Sequence, residues 1–528
     1  MSEWWRDAVC YQIYPRSYMD SNGDGVGDLP GITSRLDHLQ WLGVECIWLS
    51  PTFPSPNEDW GYDVADYYGV HPDLGTLADM DALIEAGRER GIRIVLDLVP
   101  NHTSAAHPWF QDARSSRTSE HRDWYVWGDS KVEGEPPNNW TSSFLGSAWG
   151  YDEGAGQWYL HNFLRGQPDL NWWNADVRDE FDRIYRFWFD RGVAGFRIDV
   201  AHMIIKDKEL RDNPPPEDSD FLLDHIRGQV PLYNSNRPEV HEIYQRWRAL
   251  AEDYDESKML VGETFVPSLD QLMAYYGQGD ELSLAFNFPF LTAPFEADGL
   301  CALVERTEEL LPNGCVPVWT GSNHDMSRLP TRWAGGAPDR TRCALLMLLA
   351  LRGAVFLYYG DEVGLPDTDV PLDRLLDPVT IKLQPVLNRD AARTPMQWEA
   401  SDGAGFTTPG VEPWLPFGDV AAYNVASQRD DRSSTLHFVR DLIALRRERP
   451  ELRTGAYTTL YSRDGLWAWR RGDSTVSAVN LGESAANVDG ARGTVLIGTD
   501  RARDGEKVDG ALRLEPNEGV LVGEELSS

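Results

Sequence analysis

Apolar residues along this chain follow two periods that alternate. Short runs rich in β-branched and aromatic residues read as strands: Ala8–Tyr14, Val44–Leu49, Arg93–Val99, Gly195–Val200, Met259–Glu263, Leu284–Phe288, Pro317–Thr320 and Ala354–Tyr359. Between them, stretches with apolar positions about 3.6 residues apart read as helices. These are Leu36–Leu42, Leu77–Arg90, Val177–Arg191, Val240–Tyr254, Leu303–Leu311 and Arg340–Leu351. Gly91 and Gly192 stand where two of these helices should end. Strands and helices in this alternation predict an α/β fold with a parallel sheet closed into a (β/α)8 TIM barrel, over residues 1–102 and 170–450.

Two stretches break the rhythm. Residues 103–169 are rich in Trp, Pro and Gly and are too long for a βα loop, so they read as an inserted subdomain after the third strand. A second insertion, Leu365 to Val420, follows the eighth strand. The helix Thr435–Arg449 then stops at Pro450. Beyond it, Tyr457–Ser462, Leu466–Arg470, Ser474–Asn480 and Thr494–Ile497 alternate like antiparallel strands, which predicts a C-terminal β-sandwich over 451–528.

Composition narrows the partners. Lys and Arg total 49 against 84 Asp and Glu, a formal charge of −35. Such a chain repels nucleic acid and anionic membranes, so neither is expected as a partner. The five cysteines (Cys10, Cys46, Cys301, Cys315, Cys343) are scattered and form no CxxC pair. That predicts neither a disulfide framework nor a zinc site, and fits a reducing cytoplasm. Met1 to Asp7 carries two Trp among charges and no apolar core of a signal peptide, and Cys343 to Leu351 is too short to span a membrane. The 21 Trp and 20 Tyr include loop-like clusters, Trp60-Gly61-Tyr62 and Asn171-Trp172-Trp173. Rings in such places can stack on sugars or simply pack a core.

Chemistry in a TIM barrel lies at the C-terminal ends of its strands. Four predicted ends each deliver a carboxylate: Asp97–His102, Gly195–Asp199, Val261–Glu263 and Ser322–Asp325. One Asp at a strand end can be a helix cap, but four are hard to explain that way. Glycoside cleavage needs such a set, with one carboxyl to protonate the leaving oxygen and another to attack C1. Arg197, two residues before Asp199 on one strand, points to the same side and can hold it charged.

These segments, in this order, resemble glycoside hydrolase family 13, the α-amylase family. Gly43–Pro51 and Gly360–Gly364 extend the match, which covers essentially the whole chain. The resemblance implies Asp199 as nucleophile, Glu263 as acid/base and Asp325 as the third carboxylate, gripping the 2-OH and 3-OH of the sugar. It places His102 and His324 on the same glucose, with Phe163 and Arg197 in the substrate-binding set, and implies retention of anomeric configuration. Gln167–Asn171, Gly61–Asp63 and Arg389–Trp398 are similar to the oligo-1,6-glucosidase and α-glucosidase subfamily. There, Asp63 and Arg393 would pair behind one terminal glucose and Tyr62 would stack on it. A pocket closed in this way cuts from the chain end.

Val200, after the nucleophile, is linked in that subfamily to α-1,6 activity, but Ala201-His202 follow where Ile-Asn is usual. The reading is therefore an α-glucosidase acting on short α-glucosides with transglucosylation as a side activity. Oligo-1,6-glucosidase and glucosyl-transfer isomerase (trehalose synthase or sucrose isomerase type) are the alternatives. A catalytically dead relative would lack the carboxylates, and a sugar-binding module would not need them. The protein is expected to be a monomer or homodimer.

Finally, Asp20 to Asp28 sets oxygen donors at every second residue, which suits a hard cation. It is not an EF-hand, because Gly31 stands where the bidentate Glu should be. A similar loop in the family binds structural Ca2+, which implies Asp20, Asn22, Asp24, the Val26 carbonyl and Asp28 as ligands.

Overall fold

A computed structural model describes residues 3–217, 222–383 and 388–524. In chain order its strands are β1 (Val9–Ile13), β2 (Cys46–Leu49), β3 (Arg93–Leu98), β4 (Trp127–Gly128), β5 (Trp149–Asp152) and β6 (Gln157–Leu160). Then follow β7 (Gly195–Ile198), β8 (Met259–Gly262), β9 (Leu284–Ala285), β10 (Val318–Thr320) and β11 (Ala354–Tyr358). Eight of these pair in parallel in the order β10-β11-β1-β2-β3-β7-β8-β9. They coincide with the eight predicted strands, shortened by one to three residues. Their inward residues, among them Cys10, Trp48, Val95, Val261, Leu284, Val318 and Phe356, form one buried cluster inside the barrel.

The helices around the barrel also fall where the 3.6 period places them. The helix Leu77–Glu89 begins with a capping box between Thr76 and Asp79. Gly91 (φ 72°) and Gly192 (φ 100°) end two helices in the left-handed conformation that glycine adopts without strain. The predicted Leu303–Leu311 helix starts six residues earlier, at Ala297. The C-terminal portion of the predicted Leu284–Phe288 strand instead turns into the helix Phe288–Thr292, capped by the Asn287 side chain.

The inserted subdomain carries an antiparallel sheet ordered β4-β6-β5. The bridges His102↔Asp169 and Tyr125↔Leu170 tie its two ends together at the top of the barrel. Part of the second insertion, 384–387, lies outside the described residues.

The C-terminal strands are β12 (Tyr457–Arg463), β13 (Leu466–Arg471), β14 (Thr475–Asn480), β15 (Ala486–Gly498), β16 (Lys507–Leu514) and β17 (Glu518–Gly523). They form one antiparallel sheet, β12-β13-β14-β17-β15-β16. Bulges in β15 let the sheet wrap on itself, so that Tyr461 Oη of β12 accepts a bond from Asp489 N of β15 at 2.7 Å. One face encloses Ala468, Ala478, Val495 and Val520, and the other lays Trp467, Trp469 and Leu521 on the barrel side. Four of these strands follow the predicted alternation. β16 and β17 were not expected, and β15 is longer than Thr494–Ile497.

Candidate active site

Strand register builds the candidate catalytic cluster. Asp97 of β3 lies directly opposite Arg197 of β7. Ile198 of β7 lies opposite Gly262 of β8, so the next residues, Asp199 and Glu263, emerge side by side at the barrel mouth. Backbone bonds Asp199 N→Leu98 O (2.8 Å) and Glu263 N→Ile198 O (2.9 Å) extend the ladder to them. Arg197, 2% exposed, then bonds three carboxylates: Asp97 and Asp199 through Nη1 (2.8 Å each) and Glu263 through Nη2 (2.7 Å).

Two carboxylates on neighbouring nitrogens of one guanidinium stand close together. That suits the ~5 Å spacing of retaining glycosidases and leaves little room for the extra water of inverting ones.

One guanidinium cannot neutralise three carboxylates. Burial pushes the Asp199 carboxyl well above the usual carboxylate range; Arg197 opposes this, while Glu263, Asp97 and Asp325 push it further up. Burial likewise raises Asp97 to about 7 against the pull of Arg197. The cluster therefore keeps a proton near neutrality, and the titration belongs to the cluster rather than to one residue. A raised carboxyl is protonated below its pKa and loses the proton above it. Because Asp199 must be ionised to attack C1, kcat/KM for maltose is expected to fall as the pH drops and protonates the cluster; a profile flat from about pH 8 down to about pH 5 would contradict it.

Val200 stands at φ 36°, ψ 49°, a left-handed conformation that costs a β-branched residue roughly 1–3 kcal/mol. The turn aims its N–H at Glu263 Oε2, 2.9 Å away. His202, two residues on, faces the Glu263 carbonyl through Nδ1 at 3.3 Å.

The third carboxylate is set by the strand after it leaves β10. Asn323 Oδ1 accepts bonds from Asp325 N and Met326 N, both at 2.9 Å. Burial works to raise Asp325, but His324, Arg389, Arg393 and Arg197 together hold it below the ordinary carboxylate range. His324 is fully buried, and burial lowers it to about 3, so it is neutral in the working range. Gln12 of β1 donates to its Nδ1 at 2.8 Å, which leaves Nε2–H facing Asp325 Oδ2 (3.1 Å) and the Tyr62 hydroxyl. The Tyr62 ring stacks on His324 with centroids 5.4 Å apart, and its hydroxyl donates to Asp97 at 3.1 Å. His102, lowered to about 4 by burial, contacts Asn101, Gln167 and the Tyr62 carbonyl. Phe163 packs on His102 with centroids 5.1 Å apart.

The predicted Asp63–Arg393 pair does not form. Asp63 is fully buried and is used up by Ser55 Oγ, Glu58 N and Asp59 N, so it shapes the turn. Arg393 instead bonds the His324 carbonyl (2.8 Å) and Asp325 (2.9 Å). The acid–base pair that does form between these two segments is Asp59–Arg389, at 2.9 Å. Arg389 also holds Asp377 and reaches Asp325 at 3.2 Å. Gln167, from the subfamily signature, donates to Asp59 at 3.1 Å. Both candidate pairs were present in the sequence, four residues apart at each end, and only the fold tells which carboxylate is spent on its own loop.

Asp59→Asn should therefore weaken substrate binding, lowering kcat/KM by about tenfold to a hundredfold, mostly through KM. Steady-state kinetics on maltose checks this; an unchanged KM would remove Asp59 from the pocket. Trp172 is core, 1% exposed, with Nε1 bonded to the Pro100 carbonyl.

Residues 12–455 match the family model described as alpha amylase, catalytic domain. The chain is a glycoside hydrolase of the α-amylase family. Among curated relatives of this family, it is 41% identical over 501 residues to a probable α-glucosidase of Rhizobium meliloti (strain 1021), covering 92% of this chain and 90% of that one. It is 37% identical to an oligo-1,6-glucosidase of Heyndrickxia coagulans, covering 93% and 94%. Among solved α-amylase-family structures, an α-glucosyl transfer enzyme superposes with a TM-score of 0.93 at 39% identity, over 99% of this chain and 100% of that one. The trehalulose synthase of Pseudomonas mesoacidophila MX-45 gives 0.90 at 30%, with the same coverage.

Proposed function

We propose that the protein is a retaining, exo-acting α-glucosidase that releases glucose from the non-reducing end of short α-glucosides. The observation that carries this is the Asp59–Arg389 ion pair, whose guanidinium also reaches Asp325 at 3.2 Å; we read it as the closed end of the substrate pocket. A terminal glucose fits such an end; the middle of a long chain does not. The relatives named α-glucosidase and oligo-1,6-glucosidase support the same reading.

In the mechanism, Glu263 gives its proton to the glycosidic oxygen as the C1–O bond breaks, and the Asp199 carboxylate attacks C1. Glu263, now ionised, takes a proton from water; that water attacks C1, breaks the ester and regenerates Asp199 with net retention. Arg197 binds both carboxylates throughout. When a sugar hydroxyl replaces the water, the product is a transferred glucoside, which makes transglucosylation a side reaction.

Structural likeness to a glucosyl transfer enzyme and a trehalulose synthase favours one other reading, an isomerase that retains its cleaved sugar. Incubation with maltose, isomaltose, nigerose, kojibiose, trehalose and sucrose, followed by sugar analysis, separates the two. Free glucose as the main product supports the glucosidase. Isomerised disaccharide as the main product would overturn it. The relative rates then rank linkages, where Val200 beside Glu263 favours α-1,6.

We further propose that the 20–28 loop holds Ca2+ as a structural ion, through Asp20, Asn22, Asp24, the Val26 carbonyl and Asp28. Asp20 and Asp28 are each 3% exposed, and no Lys or Arg pairs with either among the described residues. Their oxygens are met by loop amides and by the hydroxyls of Ser21 and Thr407. Among the described residues no three His, Cys, Asp or Glu side chains converge as a metal cluster, so the Asn22 amide and the Val26 carbonyl would have to complete the shell. Chelation should lower Tm by a few degrees, and Ca2+ should restore it; a Tm indifferent to both would exclude the ion.

A cytoplasmic setting is proposed as well. Cys10 lies opposite Cys46 across β1 and β2 and both are free thiols, as a reducing compartment keeps them. Among the described residues no helix is long and apolar enough to cross a membrane.

A further inference from the structure

A second cavity, of about 600 Å3, opens between the inserted subdomain and the loop after β7, and neither Asp199, Glu263 nor Asp325 lines it. Its charge runs against the rest of the molecule. In a chain of formal charge −35, four cations line it: Arg117, Arg122, Lys206 and Lys208. Lys206 is neutralised by Asp169 at 2.7 Å, and of the two acids in the lining Asp207 is taken by Arg211. Arg122 is different. It is 5% exposed, bonds the Ala113 carbonyl (2.9 Å) and the Gln157 amide, and among the described residues has no carboxylate in ion-pair contact; burial pulls its pKa down, offset only in part by Asp152, Asp123 and Asp129 farther off. Its guanidinium carbon lies over Trp127, 3.6 Å from the ring centre. Lys208, exposed and without an ion pair among the described residues, sits 4.0 Å over the Trp173 ring. Arg117 donates to the Ala155 and Gly156 carbonyls (3.3 and 2.9 Å), and among the described residues its one carboxylate partner is Asp129, at 3.5 Å.

A buried guanidinium with no carboxylate in contact is under-compensated, and an arriving anion relieves that cost. Cations grouped in a walled cavity focus potential toward one. The guanidinium fork suits phosphate oxygens. The volume exceeds what phosphate alone would fill, and the Asp123 carboxylate, unpaired among the described residues, and the capacity the Asn171 amide keeps beyond its bonds to the Asp123 carbonyl and the Trp173 N–H offer partners for hydroxyl groups. We propose that this cavity binds a sugar phosphate, with its phosphate on Arg122, Lys208 and Arg117 and its hydroxyls toward Asn171 and Asp123.

Isothermal titration calorimetry with glucose 6-phosphate tests this, with the catalytic pocket saturated by free glucose. Binding should persist under glucose and weaken about tenfold or more in Lys208→Glu and in Arg117→Glu. Both variants should keep normal maltose turnover. Three results would overturn the proposal: no binding at millimolar glucose 6-phosphate, binding abolished by glucose, or binding unchanged in both variants. Inorganic phosphate binding as tightly as glucose 6-phosphate would also reject it, since the sugar would then contribute nothing.

Discussion

Asp199→Asn should lower kcat/KM for maltose by about four to six orders of magnitude while leaving the fold intact. The amide keeps the shape of the carboxylate but cannot attack C1. It also removes one negative charge from a buried cluster in which Asp97, Asp199 and Glu263 share a single guanidinium. Relief of that repulsion should leave the thermal midpoint equal to or above that of the parent. Stability unchanged or raised, with activity abolished, is the signature of a nucleophile; a parallel loss of both would make Asp199 a structural residue.

Glu263→Gln should show a different pattern. With a sugar leaving group, protonation is needed, and loss of the general acid should cost about a hundredfold to ten-thousandfold in kcat. With α-glucosyl fluoride the leaving group needs no proton, so the first step should survive close to the parent rate. The Gln amide can still accept the Val200 N–H that now meets Glu263 Oε2 at 2.9 Å, so the strained turn is kept. Equal losses on maltose and on the fluoride would move Glu263 out of the acid role.

The contrast between these residues and Asp63 shows what a sequence can and cannot tell. The barrel was legible because its strands and helices carry their own periods, and strand ends point at the site wherever the insertions go. Asp199, Glu263 and Arg197 needed nothing more than strand direction and alternation. The pocket wall was less accessible. Asp59 and Asp63 occupy one turn, Arg389 and Arg393 flank one short 3-10 helix (Asp390–Ala392), and local sequence gives both acids the same features. What separates them is long-range: Asp63 spends its oxygens on Ser55, Glu58 and Asp59, while Asp59 meets Arg389 across 330 residues. Gln12 was missed for the same reason, since its hold on His324 joins β1 to the loop after β10. The left-handed Val200 also leaves no trace in the sequence, because β-branched residues avoid that conformation.

The proposed mechanism runs through a covalent glucosyl intermediate on Asp199. A 5-fluoro-α-glucosyl fluoride, which forms the intermediate quickly and releases it slowly, followed by proteolysis and mass spectrometry, tests it directly. One glucosyl-sized label per chain on the peptide that carries Asp199 is the predicted result. Turnover without any covalent label, or a label on another carboxylate, would contradict it.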